Sequence, residues 1–225
     1  MPSVYCHPVI KQVVALHAEL LSVYPGDLKA IDVLASQANT LLLQFLEKDE
    51  AVCVQLSNWL PECVGMDAAS ILKQELTIHH MQHAIAREYG YESWRAAESL
   101  GDVLLDTDFE HAVDAALNGN LKKLASLLQA NPDLARAQSV FGHKATILVY
   151  MAANGVETWR QVVPENAVDV LELLVEAGAD TQARIHVYGG LHSALELLLS
   201  SAHPRDAGVR DAMAEVLSKS VRKVK

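Results

Sequence analysis

Apolar residues recur along this chain at helical spacing, and Gly, Pro and Asn interrupt them at short intervals. Between Pro8 and Ser22, Val9, Val13, Leu16 and Leu20 share one face, and Tyr24, Pro25, Gly26 and Asp27 then supply turn chemistry. Leu28 to Lys48 carries Ile31, Leu34, Leu41, Leu42, Leu43, Phe45 and Leu46, an apolar stripe wide enough to predict a largely buried helix. Shorter helices are predicted at Glu50 to Leu60 and Ala68 to Leu76, separated by Pro61 and Gly65. Leu76 to Tyr89 predicts a further helix stopped by Gly90, and Ser93 is placed to cap another at Trp94.

Beyond a linker at Gly101 to Thr107 the pattern tightens. Phe109 to Leu117 brings Ala112, Ala115 and Ala116 to one close-packing face, Asn118 to Asn120 turn the chain, and Leu121 to Leu128 returns as a second helix. Asn131 stands where a helix-ending Gly often sits, so a left-handed residue is expected there before Pro132. A shift of 47 residues superposes Leu124 on Leu171, Leu127 on Leu174, Ala130 on Ala177 and Asp133 on Asp180. The same register carries Val140 to Val187, Phe141 to Tyr188, Gly142 to Gly189 and Thr146 to Ser193. Self-similarity at one period predicts stacked units, each with an apolar face that its neighbours cover.

Composition narrows the function classes. With 225 residues, 51% of them hydrophobic, the chain has the means to bury an ordinary core. It has no run of eighteen apolar residues, and its first residues lack the basic start and apolar core of a secretory signal, so a soluble, cytoplasmic protein with no membrane partner is expected. Cys6, Cys53 and Cys63 fit neither a zinc ribbon nor a disulfide framework, and reduced thiols are expected. A formal charge of -10 argues against nucleic acid as a partner. The basic tail Lys219, Arg222, Lys223 and Lys225 reads as a solvated helix end matched to the helix dipole.

His79, His80 and His83 are the most tempting chemical cluster, because His79 and His83 lie one helical turn apart. The general base of an HExxH pair is missing, however, since position 80 is His, and no cofactor or metal is assigned.

The segment AIAREYGYESW, Ala84 to Trp94, resembles a signature that precedes the repeats in a group of bacterial ankyrin-repeat-containing proteins. Its residues read as structure in their own right: Gly90 ends a helix, and Tyr89, Tyr91 and Trp94 pack in the core or between regions, while Arg87 and Glu88 form an ion pair. The family's TPLHxAAxxG motif lies over Thr146 to Gly155, with Val149 in place of His, and its second-helix ending is similar to Leu173 to Asp180. The resemblance implies an all-α fold: a helical N-terminal region over residues 1–100, then an irregular ankyrin-repeat solenoid of about three helix pairs over residues 107–219. It also implies protein-protein contacts with no common substrate.

One departure stands out. A standard ankyrin unit separates its two helix-ending glycines by about twelve residues. Gly155 and Gly178 are 23 apart, so about eleven residues, Val156 to Asn166, are inserted between the helices of one unit. Trp159, Arg160 and Gln161 there combine an aromatic anchor with a strong donor, as at interface hot spots, although Trp159 covering apolar surface is the plain alternative. The other candidate partner-binding residues are His143, Lys144, Tyr188 and His192 in the connections and Tyr150 and Asn154 toward the concave groove; Phe141 and Tyr188 are expected to pack between adjacent hairpins. Arg210, Asp211, Glu215, Lys219 and Arg222 suit the polar outer face of a terminal cap, which favours a monomer or weak homodimer. The function expected is a non-catalytic protein-interaction module with an unidentified protein partner. The alternative is a hydrolase-like or metal-dependent enzyme using His79, His80 and His83 in a cleft between the two regions.

Overall fold

The computed structural model describes residues 2–17 and 27–223, with side chains through residue 219, and is mostly helical. The turn expected at Tyr24, Pro25 and Gly26 lies outside the described residues.

Strand β1 (Val4–Cys6) leads into α1 (Pro8–Leu16), followed by α2 (Ala30–Leu46), α3 (Val52–Trp59), α4 (Ala68–Ile71), α5 (Ile78–Glu88) and α6 (Trp94–Ala97). The predicted helix at Ala68 to Leu76 is thus a single turn. The capping logic holds in detail: Ser93 Oγ accepts the Ala96 N–H at 3.2 Å, and Gly90, at φ +83°, closes α5 with Tyr91 N–H bonded to Ala86 O at 2.8 Å. The linker before residue 107 is pinned antiparallel to residues 28–30, with Ala30 N donating to Val103 O and Leu105 N to Leu28 O. One core runs from Ala30 to Leu105 and takes in Phe141 from far along the chain.

The second core, Phe109 to Leu217, is built by α7 (Thr107–Leu117), α8 (Leu121–Ala130), α9 (Ile147–Tyr150), α10 (Ala167–Glu176), α11 (Ala194–Ser200), α12 (Ala202–Asp206) and α13 (Arg210–Lys223). Positions 47 residues apart carry equivalent caps, Thr146 Oγ1 on Val149 N and Ser193 Oγ on Glu196 N. Gly119, Gly178 and Gly208 end α7, α10 and α12 at positive φ with the paired backbone bonds of a Schellman motif. Asn131 does not match Gly178: its φ is -139°, and Pro132 starts a short 3-10 turn directly after it. Helix α9 is also shorter than the motif suggests, because the chain leaves it through Ala153 at φ +50° and Gly155 at φ +76°. Met213 and Leu217 of α13 are buried against this core, while Arg210, Asp211, Glu215 and Lys219 form ion pairs on its outer side.

The all-α expectation needs one correction, since two short antiparallel ladders are present. Strand β3 (Arg184–Val187) pairs with β4 (Gly190–Ser193) around Tyr188 and Gly189, both at positive φ, the two-residue turn that matches strand twist. Strand β1 pairs with β2 (Val162–Pro164), in the register Val4↔Pro164, Tyr5↔Val163 and Cys6↔Val162. The segment expected to be an insertion, Val156 to Asn166, therefore carries the partner of β1. Where the two cores meet, Gly90 and Gly142 bring their backbones together: a Cβ on Gly142 would lie 2.8 Å from Gly90 O.

Candidate functional site

Helix α5 turns one stripe inward, Met81, Ala84, Ile85 and Glu88, all buried. Glu88 therefore points away from the exposed Arg87 and does not form the ion pair expected of it. Its Oε1 accepts the Thr158 N–H at 2.6 Å and its Oε2 accepts Gln55 Nε2 at 2.7 Å. Gln55 in turn presents Oε1 to His17 Nε2 at 2.8 Å, which places that imidazole proton on Nε2. Burial pushes the Glu88 carboxyl above its ordinary range, against the opposing pull of these donors, and burial lowers the pKa of His17.

The inserted segment is the other half of this seam. Thr158, Trp159 and Arg160 form one 3-10 turn, and all three are buried. Thr158 Oγ1 accepts Trp59 Nε1 at 3.2 Å, and Trp159 Nε1 donates to Tyr89 Oη at 3.2 Å, which also accepts Gln37 Nε2 at 2.6 Å. Arg160 Nη2 lies 2.6 Å from Glu110 Oε2 and 3.2 Å from Asp114 Oδ1, with its guanidinium 4.4 Å from the Trp159 ring centre and 5.2 Å from that of Tyr150. Beside it Glu157 Oε1 accepts Tyr150 Oη at 2.8 Å and His143 Nε2 at 3.1 Å, while His143 Nδ1 accepts the Ala145 N–H. Burial raises the Glu110 carboxyl despite Arg160; for Glu157, burial is outweighed by His143, Arg160 and Tyr150, which hold it low. His143, Tyr150 and Glu157 are each 1% exposed or less, and Gln37 Oε1, Glu110 Oε1 and Glu157 Oε2 are buried without a hydrogen-bond partner among the described residues.

The nine residues assigned to a partner surface thus separate. Trp159, Arg160, His143 and Tyr150 are interior groups, a correction to their placement on an open face: the insertion folds inward because it fills the junction of two cores. Asn154, Gln161 and His192 are half-buried, with Asn154 Nδ2 bonded to Ser200 Oγ and Gln161 Oε1 close to His203 Nε2. Lys144 and Tyr188 are exposed at hairpin tips, both at positive φ. Phe141 and Tyr188 do not pack between hairpins as expected: Phe141 meets Tyr89 edge-on at 4.6 Å, and Tyr188 stacks on Trp59 at 5.9 Å and donates to Asn154 Oδ1 at 2.9 Å. The aromatic partners on α3 and α5 draw both rings toward the N-terminal region.

In the histidine cluster, His80 Nδ1 accepts the Thr77 N–H in a capping box, and His79 faces Gln82 at 3.3 Å. Among the described residues no three His, Cys, Asp or Glu side chains are arranged to hold a metal ion.

One exposed apolar surface is the β3–β4 hairpin; Leu43, Leu46 and Val64 are similarly exposed elsewhere. Its strands bury Ile185 and Val187 and expose Arg184 and His186 on the other face, with Leu191 opposite His186. Tyr188 is 61% and Leu191 62% exposed. Arg184 Nη1 bonds Leu191 O at 3.2 Å and reaches Glu196, which also takes the Ser193 N–H, so the β4 side of the ladder is tied down.

Among the described residues, no helix is long and apolar enough to cross a membrane. Comparisons with protein-family models, curated proteins and solved structures gave no match to this chain.

Proposed function

We propose that the chain is a non-catalytic protein-interaction module, an irregular ankyrin-like array set against a helical N-terminal region, with the β3–β4 hairpin as its contact surface. The observation that carries this reading is the hairpin tip. Tyr188 holds an aromatic side chain at φ +52°, where an L-residue costs roughly 1–2 kcal/mol, and it stands exposed beside exposed Leu191. The ankyrin-like register is supported by the 47-residue recurrence, the equivalent caps on Thr146 and Ser193, and the glycine-ended helices. Glu157, His143 and Tyr150 are buried and bonded to one another, which supports a structural role for them rather than a catalytic one.

The test is affinity capture from the source cell with the parent chain and with Leu191→Glu and His186→Glu. Both positions are exposed, so the melting temperature should move by less than about 3 °C. Loss of the proteins captured by the parent supports the reading. An identical captured set with all three chains removes the hairpin from consideration.

A further inference from the structure

A second opening lies away from the hairpin, between β1, α1 and α7, with the insertion as its floor. The cleft has a volume of about 430 Å³, within the range of small-molecule sites. Val14, Leu117 and Val162 give it apolar walls, and Trp159 and Arg160 form its inner end.

Its charged lining residues are Asp114, Arg160 and Lys11. At the inner end Asp114 is 30% exposed on its side chain and gives Oδ1 to Arg160, leaving the carboxylate in contact with the cleft. Arg160, which lines the cleft beside Asp114, is itself contacted by Glu110, Asp114 and Glu157, three acidic side chains around one guanidinium. A ligand cation beside Asp114 would meet favourable potential there. Asn118 lines the same end and uses Nδ2 on Asp114 O, so its side-chain oxygen remains an acceptor for that cation. The exposed Lys11 ammonium stands in the same lining and supplies the complementary positive group.

With its second oxygen not bonded to Arg160, Asp114 offers a carboxylate, and Lys11 an ammonium, in one cleft with apolar walls, which suits a ligand with both charges and an apolar body. We propose that this cleft binds a small zwitterion of the amino-acid type, its ammonium at Asp114 and Asn118, its carboxylate at Lys11, and an aliphatic or aromatic side chain among Val14, Leu117 and Val162. The cleft and the hairpin are built by different elements, so this proposal stands or falls separately from the interaction reading.

The probes are L-leucine and L-phenylalanine, followed through the indole N–H resonance of Trp159 in the full chain, assigned with Trp159→Phe. Saturable shifts are expected for both amino acids. Isopentylamine and 4-methylpentanoate, each bearing one of the two charges, should bind at least roughly tenfold more weakly. Lys11→Met, at an exposed position, should weaken L-leucine to about the level of the amine while leaving isopentylamine no weaker. Val14→Trp should block the cleft and abolish the shift. The proposal is overturned by the absence of a saturable shift up to about 20 mM, by equal binding of L-leucine and the singly charged probes, or by a shift that survives Val14→Trp.

Discussion

Arg160→Met is the substitution that probes the seam most directly. The guanidinium is 2% exposed, Glu110 3% and Glu157 fully buried, so removing the cation leaves acidic groups in a medium where they cannot recruit water. Breaking a buried pair of this kind costs about 3–5 kcal/mol, whereas the partly exposed Asp114 contact adds well under about 1 kcal/mol after solvent screening. Loss of the stacking on Trp159 and Tyr150 adds about 1 kcal/mol, which the Met side chain largely returns as apolar packing. The net loss of about 3–5 kcal/mol is a large part of the roughly 5–15 kcal/mol that holds a protein folded. At roughly 2–4 °C per kcal/mol, the melting temperature should fall by about 6–20 °C. Urea denaturation followed by circular dichroism measures the loss, and Arg160→Met with Glu110→Leu should recover about 2–3 kcal/mol of it. The deficit should also shrink from pH 8 to pH 5, because Arg160 stabilises Glu110 and Glu157 only in their ionised forms. A single-variant loss below about 1 kcal/mol, or strict additivity in the double variant, would refute the reasoning.

Glu88→Gln tests the other half of the seam through pH. The folded-state carboxyl is raised, so its contribution is fully present below the unfolded value of 4.5 and is lost as pH rises through the folded value. Parent stability should therefore decline relative to Glu88→Gln from pH 4.5 to 8, and a flat difference between the two urea series contradicts the assignment. Gly90→Ala should cost more than about 2 kcal/mol, since φ is +83° and the new Cβ would lie 2.7 Å from His143 Cα. Gly65→Ala, at φ +78° with nothing near its Cβ, should cost only about 1 kcal/mol, and equal melting curves for the two would refute the close approach of the two regions.

Local rules made much of the helical framework legible. Ser93, Thr146 and Ser193 cap where a short polar residue precedes an apolar run, and Gly90 and Gly178 end helices where the register placed them. These devices act within a few residues of themselves. What escaped was set at long range. Val156 to Asn166 has no internal period to reveal that it fills a junction, and the pairing of Cys6 with Val162 has no local signature. Glu88 offered a signal that was missed: it follows Met81, Ala84 and Ile85 on the helical stripe that turns inward, so its position, rather than its charge, declared its burial. Glu110 offered the same signal through Val113 and Leu117. Of the surface candidates, Lys144 is exposed at its hairpin tip and Tyr188 is exposed but stacked on Trp59, whereas Tyr150 and Arg160 are drawn inside by acceptors on other elements.

The pairing of Val4–Cys6 with Val162–Pro164 has a consequence for how the molecule is made. At roughly 5–20 residues per second, a ribosome needs about 8–32 s to extend the chain from residue 4 to residue 164. Until residues 162–164 are made the first strand lacks this partner for its backbone donors and acceptors, while α2 to α6 have all their residues once residue 97 is made. Completion of the amino-terminal end thus waits on residues 162–164, and a nascent chain stalled before residue 162 would present a free strand edge to chaperones.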